Sequence, residues 1–194
     1  MNKKQILGLF FLFMFHVIGV AQNYENQAVK CIVDKYNAKE IQIDTVLNNY
    51  ENYLVKTEYL IQNKEKRYRS FFMKMKKKNA FIAVIPKITY DKISKVNPDE
   101  YLDKKCFSKI KGFKIKDFLL FHKFIVLGKN MQIKSESNSF TAKDTASLFL
   151  ETFSDKDFNN PFVRTILLLM ISQIAWVDDG GSMPSFELLP PISR

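Results

Sequence analysis

One stretch near the C-terminus restricts the fold more than any other. Residues 161–177 are apolar at most positions, and a helix formed by them would carry apolar side chains on nearly every face. Such a helix is stable only inside a protein core or a membrane. Arg164 and Gln173 leave an apolar core that is too short for a membrane span. We therefore expect residues 161–177 to form the central helix of a globular domain.

Amphipathic patterns predict further helices around this one. Apolar residues recur at helical spacing in three segments, residues 23–36, 44–60 and 141–153. A fourth helix is predicted over 97–111 from its capping residues at the start, and a fifth over 117–128 from the length of its apolar run. Asp44 and Thr141 are suited to cap their helices, and Gly128 to close one. The segment 81–85, followed by Pro86, fits either a short strand or an apolar helical turn. The predicted fold class is mainly α, a single α-dominated domain of five or six helices, with room for one small strand pair.

The first residues are expected to lie outside this fold. Two lysines precede an apolar run over residues 6–20, and small residues stand at the −3 and −1 positions of a cleavage site after Ala21. The pattern predicts a Sec signal peptide over residues 1–21 and export to the periplasm or beyond. A retained membrane anchor is the alternative. The globular domain is then expected over residues 22–177, with a flexible tail over 178–194 that contains three prolines.

The N-terminal pattern resembles that of one bacterial phylum. The Lys-Lys start, the Phe-rich apolar run and the Ala21-Gln22 junction are similar to signal peptides of Bacteroidota. The Lys/Asn/Ile-rich remainder is similar to small exported proteins of that phylum without assigned activity. The resemblance is specific over about the first 22 residues and implies no catalytic residue.

The two cysteines, Cys31 and Cys106, both belong to the exported chain. An oxidising compartment favours a disulfide between them, which would stabilise the fold by roughly 4 kcal/mol in the chain-entropy model. Two buried free thiols are the alternative. No metal site or other cofactor is expected, because no Cys-x-x-Cys pair occurs and His122 is the only histidine after cleavage. We expect His122, within an apolar run, to be a partly buried structural residue.

Positive charge is concentrated in the front part of the chain. Residues 22–134 contain 24 Lys and Arg against 12 Asp and Glu, whereas residues 135–194 contain 4 against 8. This asymmetry fits an anionic partner, but a solvated lysine coat in a sequence rich in Lys, Asn, Ile and Phe is the alternative. The candidate binding residues are Lys64, Lys66, Arg67, Arg69, Lys74, Lys76, Lys77, Lys78, Lys104, Lys105 and Lys109.

The function that these observations favour is that of a non-catalytic envelope protein. It would bind a protein or an anionic surface, either lipid headgroups or glycan, through a basic face made by residues 64–78 and 104–116. Export argues against nucleic acid as the partner. The chain has no nucleophile or phosphate-binding motif, so no catalytic residue is predicted. Two alternatives are an exported carboxylate-dependent hydrolase, which requires a pocket holding two acids with perturbed pKa values, and a membrane-tethered accessory subunit of an envelope complex.

Export and the disulfide are tested together by the intact mass of the protein from its own envelope fraction. We expect a chain that begins at Gln22, in which neither Cys31 nor Cys106 reacts with a thiol label until the protein is reduced. A mass that retains Met1 would contradict signal cleavage, and labelling before reduction would contradict the bridge.

Overall fold

The computed structural model describes residues 25–96, 119–136 and 140–178. Of these residues 74% are helical, in eight α-helices and one 3₁₀ turn, and one small parallel sheet of two strands accompanies them. The elements are α1 (25–37), α2 (Ile43–Lys56), α3 (Arg67–Lys78), β1 (Val84–Pro86), α4 (Lys87–Ile93), α5 (Leu119–Ser135), α6 (Ala142–Thr152), α7 (Asp155–Phe158), α8 (Pro161–Ile174) and β2 (Trp176–Asp178), with a 3₁₀ turn at Lys64–Lys66 before α3.

The predicted α-dominated fold with a small strand pair is confirmed. Three described helices were not among the predicted segments. Helices α4 and α7 contain only 7 and 4 residues, too few for a helical period to be visible in the sequence, and the third is α3. The predicted helix over 97–111 lies outside the described residues, as do the predicted signal peptide and residues 179–194 of the predicted tail. In the described ranges no helix combines the length and apolar character that a membrane crossing requires.

Helix α8 is the central element, as its composition predicts. Pro161 occupies the first helical position, and the side chain of Asn160 accepts a hydrogen bond from the backbone N–H of Phe162 at 2.9 Å. The consecutive residues Leu167, Leu168 and Leu169 are all fully buried, which requires neighbours on every side.

The helix ends at Ile174, three residues before the predicted end. The backbone N–H of Trp176 donates to the carbonyl of Ala83 at 2.9 Å, and residues 176–178 become β2. Strand β2 pairs in parallel with β1, so that Ile85 is opposite Val177. The ambiguous segment before Pro86 therefore forms a strand at its end. Pro86 is the last residue of β1, and its missing N–H donor is tolerated because both strands of a two-stranded sheet are edge strands.

Phenylalanines join four of the helices around this core. The rings of Phe72 on α3 and Phe149 on α6 stack with centroids 4.3 Å apart and planes 12° apart. Phe158 of α7 lies 5.8 Å from Phe72, and Phe153 lies between the rings of Phe158 and Phe124 of α5. Aromatic pairs of this kind contribute about 0.5–1.5 kcal/mol each beyond the burial of their area.

Three local predictions about helix ends have different outcomes. Thr141 does cap α6, because its hydroxyl accepts from the N–H of Asp144 at 3.3 Å while the Asp144 carboxylate accepts from the N–H of Thr141 at 3.0 Å. The cap assigned to Asp44 is wrong, since α2 begins at Ile43 and Asp44 lies in its first turn. The end assigned to Gly128 is also wrong. Helix α5 continues through this exposed glycine to Ser135.

Tyr50 of α2 is a core residue, and its hydroxyl lies out of contact with water. Tyr50 is fully buried, and its hydroxyl has no hydrogen-bond partner in the described part of the chain. Burial raises the pKa of this hydroxyl, and the nearby Tyr53 and Tyr59 raise it further. Tyr53 and Tyr59 are half-buried against the core.

Candidate functional site

Helix α3 has one face in the core and one in solvent. Its buried residues recur at helical spacing and are Arg67, Tyr68, Phe71, Phe72 and Met75. Opposite them, steps of three and four residues place Arg69, Met73, Lys76 and Lys77 along the outward side, and the exposed Lys66 precedes them in the 3₁₀ turn. We call these five residues the basic strip. The sequence segment that predicts a basic face therefore also supplies part of the core.

Arg67 was a predicted binding residue, and this prediction is wrong. Arg67 is only 8% exposed, and its guanidinium lies 3.2 Å from the carboxylate of Glu51. It also donates to the backbone carbonyls of Ile61 and Gln62 at 3.1 and 3.0 Å. Helical periodicity puts Arg67 on the same face as Phe71, so its charge pairs with Glu51 inside the protein and is not presented to a binding partner.

The other predicted basic residues of this segment lie at the surface. Lys76, Lys77 and Lys78 form the exposed last turn of α3, where positive charge suits the helix dipole, and Lys64 and Lys66 are exposed in the 3₁₀ turn. None of these five makes an ion pair with a carboxylate in the described ranges.

Arg69 and Lys74 have partners in the fold. The Nε atom of Arg69 lies 3.3 Å from a carboxylate oxygen of Asp155, and the ammonium of Lys74 donates to the carbonyl of Glu58 at 3.0 Å. Lys104, Lys105, Lys109 and Cys106 lie outside the described residues. Cys31 is half-buried against the core on α1. The bridge between the two cysteines stays a prediction.

A buried carboxylate determines how α3 is oriented. Glu51 of α2 accepts a hydrogen bond from the Tyr68 hydroxyl at 2.7 Å on one oxygen, which also faces Arg67. Its other oxygen accepts from the Nε and Nη2 atoms of Arg164 at 3.1 and 2.7 Å. Glu51 thus joins α2 to the first turns of α3 and α8. We call Glu51, Arg67, Tyr68 and Arg164 the Glu51 cluster.

The Glu51 cluster shifts the pKa values of its members. Burial by itself would raise the pKa of Glu51, but hydrogen bonds from Arg164 and Tyr68 and the charges of Arg164 and Arg67 outweigh burial and lower it. Burial and the adjacent Glu51 charge raise the pKa of Tyr68 well above its ordinary range. Glu51 is therefore ionised, and Tyr68 remains a hydrogen-bond donor.

A pocket of about 490 Å³ lies on the inward side of α3. Its described lining contains no charged side chain and comes from α3, α5, α6 and α8 and the loops next to them. The lining residues are Phe72, Met75, Phe81, Met131, Ser135, Phe140, Thr141, Thr145, Phe149, Leu167, Met170, Ile171 and Ile174. The volume falls in the range of roughly 300–1,000 Å³ that is typical of small-molecule sites. Nothing in the sequence predicted this pocket, because its residues are ordinary core types from distant segments.

The structure tests two predictions about residues that could take part in catalysis. His122 was expected to be partly buried, but it is exposed on α5, so this expectation is wrong. The described pocket lining has no Asp or Glu and thus does not supply the two acids that the hydrolase hypothesis requires. No group of three metal-ligating side chains occurs within the described segments.

Comparison of the chain with protein-family models, with curated proteins and with solved structures finds no match.

The Glu51 cluster is tested by the substitution Glu51→Gln. We expect it to lower the free energy of unfolding by about 3 kcal/mol at neutral pH, because two arginines lose their counter-charge. This is the low end of the range for buried pairs, since the side chain of Arg164 is 34% exposed.

The pH dependence gives a second test of the same substitution. The folded pKa of Glu51 is lowered, so its contribution is present above its ordinary value of 4.5 and is lost as pH falls through the folded value. In urea titrations the difference between wild type and Glu51→Gln should narrow below about pH 4.5. Glu151→Gln, at an exposed position on α6, is the control and should change stability little. Equal losses for both variants would contradict the role of the cluster.

Proposed function

We propose that this protein is a non-catalytic component of the bacterial envelope that docks on an anionic lipid surface through the basic strip of α3. The observation that carries the proposal is the arrangement of charge around one apolar residue. Met73 is 57% exposed and lies among Lys66, Arg69, Lys76 and Lys77 on the outward side of the helix. An apolar side chain ringed by cations is the pattern of residues that enter the headgroup region of a membrane.

The charges of the basic strip are available to a partner. Lys66, Lys76 and Lys77 pair with no carboxylate in the ranges that the structure describes. Arg69 does pair with Asp155, but both side chains are more than a third exposed. An exposed ion pair of this type contributes at most about 1 kcal/mol, so a lipid phosphate competes readily with it.

The surroundings expected for an exported chain favour lipid headgroups over nucleic acid. The basic side of the chain would meet anionic headgroups directly after export, and each lysine near such a surface contributes about 1 kcal/mol to binding. Tyr68, Phe71 and Phe72, which a nucleic-acid site would use for base stacking, are buried in the core. They are therefore not available to bases.

The proposal is tested by sedimentation with vesicles of phosphatidylglycerol and phosphatidylethanolamine. We expect the wild-type protein to bind these vesicles, not vesicles of phosphatidylcholine, and to dissociate as ionic strength rises. The double substitution Lys76→Gln/Lys77→Gln should weaken binding roughly 30-fold, from about 1 kcal/mol per lysine.

A matched control removes the same charge elsewhere. Lys30→Gln/Lys92→Gln neutralises two exposed lysines on α1 and α4 and should leave vesicle binding nearly unchanged. Both variants are first compared with wild type in thermal unfolding. Equal weakening by the two pairs would mean that net charge and not the basic strip is responsible. Equal binding to neutral vesicles would also overturn the proposal.

A further inference from the structure

We propose that the pocket on the inward side of α3 binds the acyl chain of a single-chain lipid whose anionic head lies at the pocket rim. This site is distinct from the basic strip, because Phe72 and Met75 of α3 contact the pocket while the lysines of the strip face away from it. The proposal therefore does not depend on vesicle docking.

The lining favours a flexible apolar chain as the ligand. Three of its residues are methionines, Met75, Met131 and Met170, and four are phenylalanines. Thioether side chains adapt to irregular apolar shapes better than branched ones do. Within the lining Leu167 is fully buried whereas Ile174 is 40% exposed, so that one end of a ligand can remain in water.

The polar groups of the pocket cannot hold an anionic head by themselves. The hydroxyl of Ser135 donates to the carbonyl of Gln132 at 2.8 Å, and that of Thr145 donates to the carbonyl of Thr141 at 3.2 Å. The Thr141 hydroxyl donates to the Asp144 carboxylate at 2.7 Å. With their protons committed, these three hydroxyls can offer a ligand only acceptor atoms. The donors for an anionic head must therefore come from the rim.

Two lysines act on the charge of Asp144, whose carboxylate accepts a hydrogen bond from the lining residue Thr141. Lys134 precedes the lining residue Ser135, and Lys143 lies two residues after Thr141. The pKa of Asp144, beside Thr141, is lowered by hydrogen bonds from Thr141 and further by the charges of Lys134 and Lys143. The Asp144 carboxylate caps α6. Glu136, which directly follows the lining residue Ser135, is a second carboxylate nearby, so the two lysines themselves, and not a net positive charge, are the proposed contacts of the anionic head.

The test uses a dansyl-labelled undecanoic acid as the probe and the protein expressed from its full-length sequence. We expect dansyl fluorescence to rise on binding and palmitic acid to displace the probe. Lysophosphatidylglycerol in place of palmitic acid distinguishes a lysolipid from a free fatty acid as the better ligand. Hexadecanol, with the same chain and no charge, should compete about tenfold less well.

Two pairs of variants locate the ligand. Met131→Trp fills the pocket and should weaken probe binding at least about tenfold, whereas Ile133→Trp, at a 66% exposed position on the same helix, should not. The double substitution Lys134→Gln/Lys143→Gln should weaken the binding of palmitic acid and leave the binding of hexadecanol unchanged. Its matched control is Lys87→Gln/Lys92→Gln on α4, which contributes nothing to the described lining.

A further measurement does not require a variant that folds. Trp176 is the single tryptophan and lies two residues after the lining residue Ile174, so a brominated fatty acid should quench its fluorescence. Absence of both probe binding and quenching would overturn the proposal. Equal binding of the probe by Met131→Trp and Ile133→Trp would also overturn it. So would release of the probe when two chains associate, because the pocket would then be occupied by a second copy of the chain.

Discussion

The orientation of α3 depends on one buried carboxylate. Glu51 lies on α2 among apolar residues and is 6% exposed, yet it contacts two guanidinium groups and a tyrosine hydroxyl. A buried charge is costly unless each of its oxygens has a partner, and here both oxygens do. Arg67 and Tyr68 come from the first turn of α3, so the cluster turns inward the same side of that helix that buries Phe71, Phe72 and Met75. This orientation places the lysines of its last turn in solvent.

The two proposed sites follow from this choice of face. Phe72 stacks on Phe149 and borders the pocket, while Met73, its neighbour in sequence, is exposed among the basic residues. A rotation of α3 by one residue, about 100°, would bring Met73 towards the core and Phe72 towards water. The pocket and the basic strip thus depend on the same register of one 12-residue helix.

The presence of a helix and the residues that it buries could be predicted from the sequence where the apolar pattern extends over several turns. The apolar residues of α8 required a central position, and the spacing of Thr141 and Asp144 predicted the start of α6. The end of α8 could not be predicted, because the pairing of Trp176 with Ala83 and β1 joins segments about 90 residues apart. The role of Arg67 was missed for the same reason, since its partner Glu51 lies in another helix. The pocket forms only when four helices meet, so no single segment indicates it.

The proposed lipid site on the inward side of α3 is tested by native mass spectrometry of the protein purified from its own cells. We expect a complex with one single-chain anionic lipid per chain, and the lipid should be released when the protein is unfolded. A folded protein that carries no lipid and takes up none when lipids are added would show that the pocket is not a lipid site.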